Sequence, residues 1–167
     1  MDGESDTIDL APAIAALRVV SGEPDRLVLA SWGETDWRAL LGFAGRCTVA
    51  AGEALIRRGE HERTLYLILS GRLEVMAHPG DGLSLGRLAS LGPGAVVGEQ
   101  SFFDGEPRSA GAWAVEACQL ATLTPDQFDS FAAAYPRLAN EFLLALGRVL
   151  AVRLRRTTAR VRSSRSY

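Results

Sequence analysis

The segment Thr64-Leu65-Tyr66-Leu67-Ile68-Leu69-Ser70-Gly71-Arg72-Leu73-Glu74-Val75-Met76 reads as two short strands turned on a glycine. Its second half alternates, so one face of that strand is wet and the other belongs to a core. The same pattern extends in both directions. Strand-like runs occupy Cys47–Ala51, Ala54–Arg57, Thr64–Leu69, Arg72–Ala77, Leu83–Leu91, Ala95–Val97, Gly111–Glu116 and Cys118–Leu123. Between them lie Gly52, Gly59, Gly71, Gly80, Gly82, Gly92-Pro93-Gly94 and Gly105. Many short strands at close, regular spacing predict an antiparallel sandwich or barrel rather than a parallel sheet.

The flanks change period. Residues 1–45 read as helical and irregular. Leu10, Ile14 and Leu17 share one helix face, and Gly22-Glu23-Pro24-Asp25 breaks the chain. Trp32, Trp37, Leu40 and Leu41 form a second apolar cluster, with a short helix over Asp36–Leu41. After the strands, Thr124-Pro125-Asp126-Gln127 is a helix start with Thr as cap, Pro in the first turn and Gln closing a capping box. Tyr135-Pro136 ends that helix and begins another, along which Leu143, Leu146, Leu150, Leu154, Thr157 and Val161 make one apolar stripe. The expected fold is mainly β with flanking α: an eight-stranded jelly-roll-type antiparallel β-barrel over 46–124, N-terminal helices over 1–45, and a short and a long helix with a basic tail over 125–167.

Bulk composition narrows the function. The 167 residues suit one domain, and a net charge of −2 implies no general attraction to nucleic acid. Every basic side chain is Arg, a bias typical of a GC-rich, bacterial genome. No acidic residue follows Glu141, whereas Arg148, Arg153, Arg155, Arg156, Arg160, Arg162 and Arg165 do. That run reads as a solvated helix face, with a surface for an acidic partner as the sharper alternative. No stretch has the length of apolar residues that a membrane span needs, and the acidic start is not a signal peptide. A cytoplasmic protein is expected. Cys47 and Cys118 lie in apolar runs and are expected as buried free thiols, though one disulfide remains open on spacing. His61 and His78 are too few for a metal cluster, and no nucleophile–base arrangement is readable, so no catalysis is expected.

Chemistry concentrates in Gly98-Glu99-Gln100-Ser101-Phe102-Phe103-Asp104-Gly105-Glu106-Pro107-Arg108-Ser109-Ala110. Gly98 lets the backbone turn out of a strand, and Phe102-Phe103 anchors the turn in the core. Asp104 to Pro107 brings the chain round to Arg108. Such a loop can point several N–H groups inward as an anion site. Arg108 adds a planar fork matched to phosphate oxygens. Glu99 accepts hydrogen bonds and so suits a neighbouring hydroxyl. The combination predicts a nucleotide or a sugar phosphate.

This segment resembles the phosphate-binding cassette of the cyclic nucleotide-binding domain family. Residues 51–60 are similar to the family's glycine-punctuated early strands, 65–75 to its central hairpin, and the helices after Pro125 to its hinge and lid. The likeness covers roughly residues 40–160 and is nearest to the sensor domain of the catabolite activator branch. It implies that Glu99 binds a ribose 2′-hydroxyl and Arg108 the cyclic phosphate. Ser109, beside Ala110, would bond phosphate or purine. The backbone near Gly98, Gln100 and Ser101 would complete the phosphate cradle, and Leu88 and Ala89 would line the purine. In the lid helix the base contact falls on Arg153 and Leu154 by an ungapped count, or on Thr157 and Thr158 by pattern, one helical turn apart.

Two departures stand out. The third cassette position is polar Gln100 where the family is usually apolar. After the long helix the chain ends at Tyr167, with no helix-turn-helix, so direct DNA binding is not expected. The implied ligand is cAMP in preference to cGMP, and no other cofactor is expected. The implied partners are a second copy through the long helix and an unknown protein effector. A ligand-free interaction module of the same fold, or a binder of cGMP or a cyclic dinucleotide, is the alternative. Arg108 is expected to face an open pocket and to matter little to the stability of the empty protein.

Overall fold

The computed structural model describes residues 10–18, 26–76 and 87–164. Two N-terminal helices, α1 (Leu10–Arg18) and α2 (Glu34–Phe43), precede strands β1 (Gly45–Val49), β2 (Ala54–Ile56), β3 (Leu65–Ser70), β4 (Leu73–Met76), β5 (Arg87–Leu91) and β6 (Val96–Val97). A single short helix, α3 (Glu99–Asp104), separates these from β7 (Gly111–Ala114) and β8 (Cys118–Leu123). Helices α4 (Pro125–Ala134) and α5 (Pro136–Ser164) close the chain. Each of the eight expected strand runs therefore contains a strand. The break at Gly22–Asp25, the turn at Gly80 and Gly82, His78, and the first residues of the Leu83–Leu91 run lie outside the described residues.

The strands form two four-stranded antiparallel sheets, ordered β1-β8-β3-β6 and β2-β7-β4-β5. They pack face to face in jelly-roll fashion and do not close into a continuous ring among the described residues. The apolar run in β3 follows from its position. Leu65, Leu67 and Leu69 pack with the helices, while Tyr66 and Ile68 pack between the sheets. A strand covered on both faces loses the polar half of its alternation. Burial of this kind is the main stabilising contribution, at about 25 cal/mol per Å² of apolar surface removed from water.

The helical layer is built on aromatic contacts. Trp32 meets Trp37 at 5.0 Å and Phe142 at 6.4 Å between ring centroids. Phe142 meets Phe128 at 6.1 Å, and Phe128 meets Phe102 of α3 at 5.8 Å. A continuous row of rings thus joins the N-terminal segment, both C-terminal helices and α3. Glu141 of α5 fastens the same junction by accepting hydrogen bonds from Trp32 Nε1 at 2.9 Å and Ser31 Oγ at 3.1 Å.

The helix boundaries follow their sequence signals. Thr124 Oγ1 accepts from the Gln127 N–H at 3.3 Å, and Gln127 Oε1 accepts from the Thr124 N–H at 2.9 Å, the reciprocal capping box expected there. Tyr135 leaves the helical conformation because the ring of Pro136 crowds the residue before it.

The face of α5 turned to the core is Leu138, Phe142, Ala145, Leu146 and Val149. Of the leucine stripe expected to meet a second copy, Leu146 alone among the described side chains is fully buried in the chain's own core; Leu143 and Leu150 are half-buried, and Leu154 is 68% exposed. The two faces overlap on a 3.6-residue helix, and the larger apolar side, Phe142, sets the phase. Phe103 does not help anchor its turn: Phe102 is buried and Phe103 exposed. Finally, Cys118 is buried but Cys47 is half-buried, on an edge strand; both thiols are free.

Candidate functional site

β6 ends at Val97, and Gly98 turns the chain into α3 with φ of +85°. A side chain there would be strained by that angle alone. It would also strike Nη1 of Arg108 and lie 2.8 Å from the Thr64 carbonyl oxygen. Gly105, with φ of +73°, ends α3, and the Asp104 carboxylate accepts from the Glu106 N–H at 2.9 Å. The chain then returns to Arg108 along the β2–β3 connection. There the Arg108 N–H donates to Glu60 O and the Gly59 N–H donates to Arg108 O, both at 2.9 Å. Arg63 of the same connection donates to Ser101 O at 3.4 Å and Phe102 O at 3.0 Å, satisfying carbonyls at the end of α3.

Arg108 is 3% exposed, contrary to the expectation of an open setting. Its Nη2 donates to Glu62 Oε2 at 2.8 Å and to Thr64 O at 2.7 Å, and its Nη1 donates to Gly98 O at 3.0 Å. The Tyr66 ring lies 5.8 Å from the guanidinium carbon. Nε is buried and has no hydrogen-bond partner. Glu99, 4% exposed, does not pair with Arg108. Its Oε1 lies 2.7 Å from Nη1 of Arg153 on α5, whose Nη2 donates to Val96 O at 2.7 Å. Ser109 Oγ donates to Gln100 Oε1 at 2.7 Å.

These groups surround a cavity of about 320 Å³, at the small end of the roughly 300–1,000 Å³ usual for small-molecule sites. One wall is apolar: Ile56, Val75, Leu88, Ala89 and Leu91 from the β2-β7-β4-β5 sheet. The opposite wall is the cassette, Gly98 to Ser101 and Arg108 to Ala110. Arg153, Arg156 and Thr157 of α5 form the third side. Thus the expected residues converge, except Thr158, which is not on the cavity and donates its hydroxyl to Leu154 O at 3.0 Å. Leu154 is likewise turned away, so the ungapped count and the pattern each have one residue on the cavity, Arg153 and Thr157.

Several lining residues escaped the sequence reading. Val75 was legible, since it shares a face with Leu73 in an alternating strand. Arg156 was also legible, three residues past Arg153 on one helix face. Off the cavity, Glu62 had no signal either: its tie to Arg108 spans 46 residues of sequence.

The electrostatics follow from these contacts. Burial works to raise the Glu62 carboxyl, but hydrogen bonds from Thr64, Arg108 and Tyr66 with the Arg108 charge outweigh it and hold the group below the usual range. Burial, together with the nearby Glu62 charge, pushes the Tyr66 hydroxyl up to about 12. No cluster of three or more His, Cys, Asp or Glu residues fit for a metal exists among the described residues. No helix among them is long and apolar enough to cross a membrane.

Comparison with known proteins agrees with this geometry. The family model for the cyclic nucleotide-binding domain matches residues 46–135. The chain is 33% identical over 106 residues to a CRP-like cAMP-activated global transcriptional regulator of Mycobacterium tuberculosis, covering 64% of this chain and 45% of that protein. The chain thus spans just under half the length of that curated relative. Among solved structures, a cyclic nucleotide-binding domain from Methylobacillus flagellatus superposes with a TM-score of 0.75 at 25% identity, over 92% of this chain and 82% of the other. The Thermus thermophilus catabolite activator protein gives 0.68 at 30% identity, over 79% and 60%.

Proposed function

The chain belongs to the cyclic nucleotide-binding domain family, and from that premise we propose that it is a regulatory sensor, not an enzyme, that binds cAMP in preference to cGMP and signals through α5. The observation that carries this reading is Arg108: a buried guanidinium beside a cavity, with Nε left without a partner. A buried unpaired donor is costly, and an anionic oxygen from the cavity would satisfy it.

In this reading Arg108 pairs with the cyclic phosphate. Ser109 and the backbone at Gly98, Gln100, Ser101 and Ala110 complete the cradle. Glu99 accepts from the ribose 2′-hydroxyl, and Leu88 and Ala89 flank the base. Arg153 and Thr157 close the site from α5, and Thr158 would reach a ligand only from a second copy. The cAMP preference draws on the M. tuberculosis relative, which is named for cAMP.

Signalling follows from Arg153. Arg153 pairs with Glu99, the group that the ribose would also use, so ligand binding would change what anchors α5. The side of α5 left open, with Leu154 exposed and Leu143 and Leu150 half-buried, supports a homodimer through this helix. A cytoplasmic setting and a protein effector complete the proposal.

A second reading, a ligand-free interaction module, is favoured by one fact: Glu99 and Arg108 already have protein partners. Calorimetry with cAMP, cGMP and cyclic di-GMP separates the two. Saturable binding of cAMP, tighter than cGMP, is expected. Heat-silent titrations with all three, joined by unchanged thermal stability, would leave the interaction module.

A further inference from the structure

Arg108 cannot orient itself. Its long side chain carries several rotatable bonds, and a buried guanidinium does its work only if its free edge faces the ligand. The groups that fix it all lie outside the cassette or on its backbone: Thr64 O, Gly98 O and the Glu62 carboxylate. Of these, Glu62 is its only ionic partner among the described residues. Glu62 does not line the cavity. It is itself fixed on the other side, where Tyr66 Oη lies 3.2 Å from each carboxylate oxygen. The Tyr66 ring in turn packs under the guanidinium, so Glu62, Tyr66 and Arg108 form a closed triangle.

We propose that Glu62 is a positioning residue for the anion site: by holding Nη2 of Arg108 from outside the cavity, it aims Nε at the phosphate. This rests on the reading of the cavity as a cyclic-phosphate site. The role is geometric and so depends on reach before charge. A Gln at 62 keeps the length and an oxygen acceptor while losing the charge. An Asp keeps the charge but draws the carboxylate back by about 1.5 Å, out of hydrogen-bond range of Nη2.

The test is binding of cAMP and of its two phosphorothioate diastereomers to the full chain, by calorimetry. The two exocyclic oxygens of a cyclic phosphate are distinct, so the affinity ratio of the Rp and Sp isomers reports which oxygen Arg108 faces. The parent should discriminate between the isomers. Glu62→Gln should retain that ratio, with cAMP affinity within about threefold of the parent. Glu62→Asp should weaken cAMP by about tenfold or more and flatten the ratio, as misplacement of a charged hydrogen bond predicts. Tyr66→Phe, which removes only the hydroxyl behind Glu62, should shift the ratio in the same direction by less, and it serves if the Asp variant does not fold. A Gln variant that behaves badly while Asp behaves like the parent would assign the effect to charge and overturn the proposal. So would an unchanged isomer ratio in both Asp and Phe variants. Failure of the parent to bind any cyclic nucleotide would strike the sensor reading itself, a distinct result.

Discussion

Arg108 bears on both stability and binding, because the side chain aimed at the ligand also satisfies the protein. Removing it leaves Thr64 O and Gly98 O without their donor and Glu62 without its counter-charge. Arg108→Ala is therefore expected to weaken cAMP binding by at least about tenfold and also to lower the stability of the empty protein by roughly 1–3 kcal/mol. Arg108→Lys should restore only part of either, since a point charge cannot serve three acceptors and a ligand in one plane. Calorimetry and thermal melts of the same samples check both. Glu62 adds a pH dependence. Its carboxyl sits below the ordinary value in the folded chain, so its contribution is present above about pH 4.3 and is lost as pH falls through the lower, folded value. The melting temperature of the parent should thus drop more steeply below about pH 4.3 than that of Glu62→Gln.

Among the elements, the ones written in local pattern were legible and the ones set by distant contact were not. The eight strands announced themselves through glycine punctuation, and the Thr124 box marked the start of α4 to the residue. The cassette residues could be named because they sit within thirteen consecutive positions. The phase of α5 could not be read, because its sequence offers two apolar faces and only the position of Phe142 against Trp32 and Phe128 chooses between them. The partners of Glu99 and Arg108 were equally invisible: a Glu and an Arg in one loop invite pairing with each other, yet each is claimed by another element. The contact between α3 and α5 carries its own prediction. Glu99→Gln removes the charge that Arg153 and a ribose hydroxyl both seek. It should weaken cAMP more than 2′-deoxy-cAMP, narrowing the gap between the two ligands in a competition titration.

For the molecule as a whole, the face of α5 turned from the core carries Leu143 and Leu150 half-buried and Leu154 exposed. The helix has 29 residues, about 43 Å of length, more than the sheets beside it can cover. Leu154→Arg, at a position 68% exposed, should leave the fold intact while shifting the protein toward monomer in light scattering. A parent that is already monomeric at high concentration would remove the dimer from the proposal.

The row of rings from Trp32 to Phe102 gives the protein a built-in optical reporter. Trp32 and Trp37 are buried in the helical layer, whereas Trp113 sits on the far sheet at 38% exposure. Tryptophan emission therefore has a shielded, blue component from the helical layer and a solvent-exposed, quenchable component from the outer face of the β2-β7-β4-β5 sheet. Ligand that moves α5 against the N-terminal segment must change the surroundings of Trp32, whose indole donates to Glu141 of that helix. The shielded component should shift on addition of cAMP while collisional quenching of Trp113 by iodide stays constant, so that the response of α5 can be followed in the unlabelled protein.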